Sequence, residues 1–265
     1  MSVTSTGSVF SEATHARARE VIARYPEGRS RSALLPLLHL VQSEEGRVSP
    51  AGVQFCADHL GLTKAEVGAV ATFYTMYKRR PTGDWLVSVC TNTVCGVQGG
   101  DKIYEALHEH LGVGHNETAG NITFEHAECL AACDYAPVVT VNYEFYDNMT
   151  AESSLDLVRA LQNGERPQPS RGSRLCTFKE MSIQLAGFAD VRGEDVVGDG
   201  PAGVATLAGN RVAERYGISV PGFDPDTPIG GREEKPPEKP ATAGKPASDR
   251  SPAGDSPMPQ KGDGK

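Results

Sequence analysis

Apolar residues between positions 12 and 78 recur every three or four residues, which is the spacing of amphipathic helices. Residues that begin or end helices separate these runs: Ser49 with Pro50, the capping box of Thr63 and Glu66, and Gly61. The predicted helices cover residues 12–25, 32–45, 50–61 and 64–77, the last of them including Phe73, Tyr74 and Tyr77. Because helices of this length are not stable alone, we predict a small antiparallel helical bundle over residues 12–80.

The spacing of apolar residues becomes that of strands after Pro81. The predicted elements are a strand at 85–89, a loop to Gly99, a helix from there to Gly112, strands at 122–126, 138–142 and 143–146, and a helix from Thr150 to about Leu161. This order predicts a small mixed sheet with helices packed on it over residues 81–165, and the fold class is α+β. Residues 166–223 form an extension with one or two helices expected between 176 and 222.

Both ends of the chain, residues 1–11 and 224–265, are predicted to be disordered. The C-terminal tail holds 9 of the 18 prolines and no aromatic residue. It cannot bury enough apolar surface to offset the entropy of ordering. The formal net charge of −8 resides almost entirely in the rest of the chain. An acidic protein of this kind is not expected to bind nucleic acid or other polyphosphates.

We expect no insertion into a membrane and no export. The longest apolar stretch, at residues 33–38, is far shorter than the roughly 20 residues that a membrane helix needs. Residues 1–10 lack the basic and apolar regions of a secretory signal. In a cytoplasmic protein the six cysteines are more consistent with metal or redox chemistry than with disulfide bonds.

Four of the six cysteines form two closely spaced pairs. Cys90 and Cys95 are separated by four residues, Cys129 and Cys133 by three, and both pairs are predicted on loops that follow strands. A binuclear iron–sulfur cluster needs two thiolates on each iron, which two such pairs supply. We expect the helix that begins near Gly99 to direct its N-terminus toward the negative cluster, and Gly96 to let the backbone approach a sulfur.

Other interpretations of these cysteines remain open. Structural zinc sites and thioredoxin-type dithiols usually have two cysteines separated by two residues, which is not the spacing of either pair here. A Rieske site needs two histidines as ligands, and only His126 is close to either cysteine pair in the sequence. Four unrelated buried thiols are the remaining alternative. Cys56 shares an apolar helix face and is predicted to be a core residue, whereas Cys176 has no predicted role.

Three further groups of polar residues are candidates for binding. His108 and His110 are predicted to lie on the surface. Lys78, Arg79 and Arg80 form either a docking patch for an acidic partner or a solvated helix end. Residues 198–203 match the G-x-G-x-x-G pattern of dinucleotide sites, but no full strand precedes them, so we interpret them as a glycine-rich loop.

The segments 89–95, 128–133 and 136–142, together with 37–42 and 71–74 upstream, carry a family resemblance. They resemble the thioredoxin-like [2Fe-2S] subunits of NADH dehydrogenases, a family with members in the electron-input module of bacterial respiratory complex I. The resemblance covers residues 12–165 and departs from the family at Ala131, where glycine is usual.

The resemblance implies a helical bundle followed by a thioredoxin-like [2Fe-2S] ferredoxin domain, with Cys90, Cys95, Cys129 and Cys133 as the ligands of one [2Fe-2S] cluster. It implies an electron-transfer subunit of an NADH:quinone oxidoreductase. Its immediate partner would be a flavoprotein subunit that binds FMN and NADH. Both would belong, with other subunits, to a peripheral arm on the cytoplasmic face of the membrane. Related subunits of NAD-dependent formate dehydrogenases or NAD-reducing hydrogenases are the alternative. An alternative of another class is a zinc-stabilised interaction module.

Overall fold

The computed structural model describes residues 9–172, 174–189 and 204–218. The predicted C-terminal tail, most of the N-terminal segment and the glycine-rich motif at 198–203 lie outside the described residues. Within these ranges no helix is long and apolar enough to cross a membrane.

Four helices precede the sheet, and their ends follow the local sequence signals closely. They are α1 (Glu12–Ala23), α2 (Leu34–Glu45), α3 (Pro50–Leu60) and α4 (Lys64–Phe73). The Ser49 side chain accepts a hydrogen bond from the Gly52 N–H at 3.0 Å, and Thr63 and Glu66 form the predicted capping box. These bonds satisfy N–H groups that the first helical turn leaves unpaired.

Two predicted helix boundaries are wrong. A single 3₁₀ turn, Ser30–Ala33, precedes α2, so the second α-helix begins later than expected. Helix α4 ends at Phe73, because Tyr74 has an extended backbone. Tyr77 therefore lies outside the helix, where its ring is buried and its hydroxyl donates to the Leu35 carbonyl at 3.0 Å. Tertiary burial, rather than helical spacing, places this side chain.

The second part of the chain forms a five-stranded mixed sheet with the strand order β2-β3-β1-β4-β5. The strands are β1 (Trp85–Cys90), β2 (Glu117–Ala119), β3 (Ile122–Ala127), β4 (Val139–Val141) and β5 (Glu144–Tyr146). Only the central pair β1 and β3 is parallel, with Cys90 opposite Ala127. The edge strand β2 is not among the predicted elements.

Three helices accompany the sheet: α5 (Thr93–Val97), α6 (Gly100–Leu111) and α7 (Ala151–Gln162). Helices α6 and α7 contact each other and share a core with the sheet that includes Ile103, Leu107, Phe124 and Val158. Helix α5 replaces the loop that the sequence predicts before Gly99. Asn92 begins this helix by accepting a hydrogen bond from the Thr93 N–H at 2.9 Å.

The extension after residue 166 contains α8 (Phe178–Leu185) and α9 (Ala208–Tyr216). Helix α8 packs on α2, and its Ile183 joins the core of the first four helices. We call α1–α4 together with α8 the helical cluster. Helix α9 has no buried residue, but Thr206 just before it donates to Asp134 at 3.0 Å.

A chain of buried polar contacts joins the helical cluster to the sheet. Gln42, fully buried on α2, accepts a hydrogen bond from the Lys78 N–H at 2.7 Å. The Lys78 Nζ forms an ion pair with Glu125 of β3 at 2.5 Å, and Ser88 of β1 donates to the same carboxylate at 2.7 Å. The interpretation of Lys78 as part of a solvated helix end is therefore wrong, because only 8% of this residue is exposed.

Candidate metal centre

The first cysteine pair lies at the end of the central strand. Cys90 is the last residue of β1, and Cys95 lies within α5 rather than on the predicted loop. Each of these cysteines is only 3% exposed. A short helix anchored to the strand therefore holds this pair in the protein interior.

The second cysteine pair follows the parallel neighbour strand β3. Cys129 and Cys133 are both exposed, and Cys133 begins a 3₁₀ turn. The Ala131 N–H donates to the Cys129 sulfur at 3.4 Å. Because β1 and β3 run parallel in register, their carboxyl ends bring both cysteine pairs to the same edge of the sheet.

Neighbouring thiols raise the pKa values of Cys95 and Cys133. Burial, and then the contact with Cys90, raise the pKa of Cys95 to about 11. The contact with Cys129 is the main cause that raises the pKa of Cys133, and Cys90 contributes across the two pairs. Thiols with raised pKa values are protonated at neutral pH, so binding of iron here must release protons.

The arrangement of these sulfur donors bears on which metal they fit. Among the described residues, no three His, Cys, Asp or Glu side chains converge on a point that could hold one metal ion. A structural zinc ion needs four ligands around one point, whereas a binuclear cluster takes two thiolates on each iron. Two thiol pairs at one edge of the sheet supply the two thiolates that each iron of a binuclear cluster needs.

Glycine is required beside this site, although not where the sequence predicts. A side chain at Gly100, the first residue of α6, would collide with the backbone oxygen of Cys90 and would lie 2.9 Å from that of Cys95. A side chain at Gly96 would place its Cβ 3.0 Å from the Thr91 carbonyl oxygen, so the group that approaches this glycine is a carbonyl and not a sulfur. Gly100 thus lets the N-terminus of α6 lie directly beside the buried cysteine pair.

The remaining candidate residues lie elsewhere. Cys56 is fully buried in the helical cluster, as predicted, and burial raises the pKa of its thiol to about 12. Cys176 is buried next to Gln184, whose amide approaches its sulfur at 3.6 Å. His108 and His110 are exposed on α6, as expected. The sequence did not indicate the contact of Thr206 with Asp134, because 72 residues separate the two.

Ala131 has a backbone conformation that favours glycine, with φ at 56°. An L-residue in this left-handed region costs roughly 1–2 kcal/mol. We expect Ala131→Gly to raise the free energy of unfolding by about 1 kcal/mol, since glycine removes this cost but gains some freedom in the unfolded chain. Chemical denaturation of the metal-free protein measures the change. The neighbouring Ala132→Gly is the control and should destabilise, because Ala132 has φ at −122°. Equal effects of the two substitutions would contradict the prediction.

Comparisons with known proteins find relatives for most of the chain. Residues 18–162 match the model of the thioredoxin-like [2Fe-2S] ferredoxin family. The E subunit of the NADH-quinone oxidoreductase of Mycobacterium tuberculosis is 57% identical over 206 residues, which is 77% of this chain and 80% of that protein. The NADH-quinone oxidoreductase subunit 2 of Thermus thermophilus is 37% identical over 150 residues, 56% of this chain and 83% of that protein.

The 206 residues that match the mycobacterial protein exceed the segment that matches the family model, so this similarity extends beyond residues 18–162. Among solved structures, an NAD+-reducing [NiFe]-hydrogenase in the air-oxidized state is similar with a TM-score of 0.45 and 17% identity, covering 49% of this chain and 23% of that chain. This last likeness is partial.

Proposed function

The chain belongs to the thioredoxin-like [2Fe-2S] ferredoxin family, with the E subunits of NADH-quinone oxidoreductases as homologues, and we propose that it carries one [2Fe-2S] cluster on Cys90, Cys95, Cys129 and Cys133. The observation that carries this proposal is the placement of two contacting thiol pairs at the carboxyl ends of adjacent parallel strands. When bound, such a cluster takes up and releases one electron at a time.

The two pairs have different tasks in this proposal. Cys90 and Cys95 anchor the cluster to the sheet and keep water from one side of it, because both are almost fully buried. Cys129 and Cys133 are exposed and leave the other side accessible to an electron-exchanging protein. The Ala131 N–H donates to the Cys129 sulfur and thereby helps to hold this sulfur in place for iron.

We further propose that the immediate partner is a separate flavoprotein subunit that binds NADH and FMN. NADH gives up two electrons together as a hydride, whereas a [2Fe-2S] cluster accepts one, so a flavin must lie between them. The chain would thus act as one subunit of an NADH:quinone oxidoreductase, among the other subunits of the peripheral arm on the cytoplasmic face of the membrane. Homologues named as parts of NADH-quinone oxidoreductases favour this complex over a formate dehydrogenase or a hydrogenase.

Spectroscopy of the anaerobically purified full chain tests the cluster. We expect about two irons and two sulfides per chain, a brown colour, and an S = 1/2 EPR signal after one-electron reduction. A colourless protein that holds one zinc ion after anaerobic reconstitution with iron and sulfide would instead support the zinc-stabilised module.

Reduction by NADH tests the division of labour between subunits. Dithionite should bleach the visible band of the isolated chain, and NADH should not, until the FMN-bearing subunit is added. Bleaching by NADH in the absence of any flavin would show that the chain does not need this partner.

A further inference from the structure

A groove of about 990 Å³ lies between the segment that follows α4 and the neighbouring strands β1 and β3. Its lining includes Tyr74 and Met76, the basic residues 78–80, and Cys129 with Leu130. One continuous surface thus connects the helical cluster to an exposed cysteine of the candidate metal centre. A protein that occupied this groove would reach the side from which electrons can enter or leave.

The groove lining holds more basic than acidic side chains. Arg79 and Arg80 are exposed and form no ion pair with any described residue, whereas Lys78 is already paired with Glu125. The other carboxylate of the lining belongs to Glu128. Two free guanidinium groups on a chain with a net charge of −8 mark a local site for an acidic partner.

The floor of the groove adds a further polar group without a partner. The hydroxyl of Tyr143 is buried, and no described residue forms a hydrogen bond with it. Arg79 and Arg80, in contrast, are exposed, and each presents several N–H donors without an acceptor in the described chain. Carboxylate oxygens of a bound segment are suitable acceptors for the two exposed guanidinium groups.

Apolar side chains stand exposed beside these donors. Phe73 is 77% exposed, and its ring packs edge-on against Tyr74 with the ring centroids 4.9 Å apart. Tyr74 and Met76, which line the groove, are 40% and 39% exposed. Aromatic residues exposed next to arginines resemble the residues that carry most of the binding energy in protein interfaces.

On the basis of the function proposed above, we propose that this groove and Phe73 form the docking surface for the flavoprotein subunit. The flavoprotein inserts a segment that pairs Asp or Glu carboxylates with Arg79 and Arg80 and covers Phe73 with an apolar side chain. Docking there places the flavoprotein against the loop of Cys129, where electron exchange requires close approach.

The charge contacts are tested by the kinetics of binding between the cluster-loaded full chain and the FMN-bearing subunit. We expect the double variant Arg79→Gln, Arg80→Gln to lower the association rate about tenfold at low salt and to reduce its salt dependence. The control is Arg29→Gln, Lys64→Gln, which removes the same charge from exposed positions outside the groove lining. The control should bind within about twofold of the unaltered chain.

The apolar contact is tested by Phe73→Ala, which should raise the dissociation rate about tenfold or more. Leu185→Ala on α8 is its control, because this leucine is also exposed, at 42%, and lies outside the groove lining. The iron content and EPR signal of every variant should match those of the unaltered chain. Binding loss without a change at the cluster then reports docking alone.

Three outcomes would overturn the proposal. If the unaltered chain binds the flavoprotein and the groove variants bind equally well, the docking surface lies elsewhere while the proposed function stands. If the unaltered chain neither binds nor exchanges electrons with the flavoprotein, both proposals fail. If sedimentation shows that the chain self-associates and that Phe73→Ala abolishes this association, the groove serves a second copy of the chain.

Discussion

Replacement of Cys129 by alanine is expected to abolish the visible band and the EPR signal of the reduced protein, with less than half of the iron retained. The substitution removes one of the four proposed thiolates, so one iron would keep only a single protein ligand and would be open to water and lost. Cys129 is the most direct of the four positions to test, because its side chain is exposed and its removal leaves no cavity in the core. Iron analysis and EPR after anaerobic reconstitution measure the effect. Cys133→Ala, at the other exposed position, should behave in the same way.

Cys56→Ala and Cys176→Ala are the matched controls. Both thiols are buried, at 0% and 1% exposure, and neither belongs to the two pairs at the sheet edge. Each control should lower stability through lost packing and leave the spectrum of the cluster unchanged. Loss of the cluster in either control, or its retention in Cys129→Ala, would contradict the assignment of ligands.

Lys78→Ala is expected to lower the free energy of unfolding by about 3–5 kcal/mol, which is typical of breaking one partner of a buried ion pair. The side chains of Lys78 and Glu125 are only 9% and 12% exposed, so the carboxylate would remain buried without its cation. Ser88 would still donate to it but does not supply a charge. The midpoint and slope of urea denaturation, measured on the metal-free chain, give the change.

The double variant Lys78→Met, Glu125→Gln should recover at least half of this loss, because it removes both charges and keeps an acceptor for Ser88. The exposed pair of Arg159 and Asp156, 3.2 Å apart, provides the comparison. Arg159→Ala should leave the denaturation midpoint almost unchanged, since surface ion pairs contribute little. If Lys78→Ala were equally harmless, the buried pair would not stabilise the connection between helices and sheet.

Local signals in the sequence predicted the structure well where they act within a few residues. The capping box at Thr63 and the Ser49–Pro50 pair mark true helix starts, because the Thr63 and Ser49 side chains accept hydrogen bonds from N–H groups of the next turn. The parallel pairing of β1 and β3 could not be read from spacing. Nevertheless, the prediction that each cysteine pair follows a strand was sufficient to expect the two pairs close together, and the structure places them at one edge of the sheet.

Features that depend on distant contacts could not be predicted in this way. Tyr77 continues the helical spacing of α4 but leaves the helix, because its ring is buried and its hydroxyl bonds to α2. Lys78 has the sequence context of a solvated residue, yet Glu125, 47 residues away, pairs with it. The three-residue edge strand β2 is too short for an alternating pattern to reveal it.

The return of α8 to α2 has a consequence for the order in which the chain folds during synthesis. Helices α1–α4 leave the ribosome first, but Ile183 and Ala186, which belong to their core, are made only after the whole sheet. The nascent helices therefore expose the face of α2 that α8 covers while the strands and helices from β1 to α7 are still being added. Most of the core of that intervening segment comes from its own contiguous residues, and Leu175 joins it shortly before α8 is made. The four helices that are translated first thus cannot complete their packing until α8 has been made.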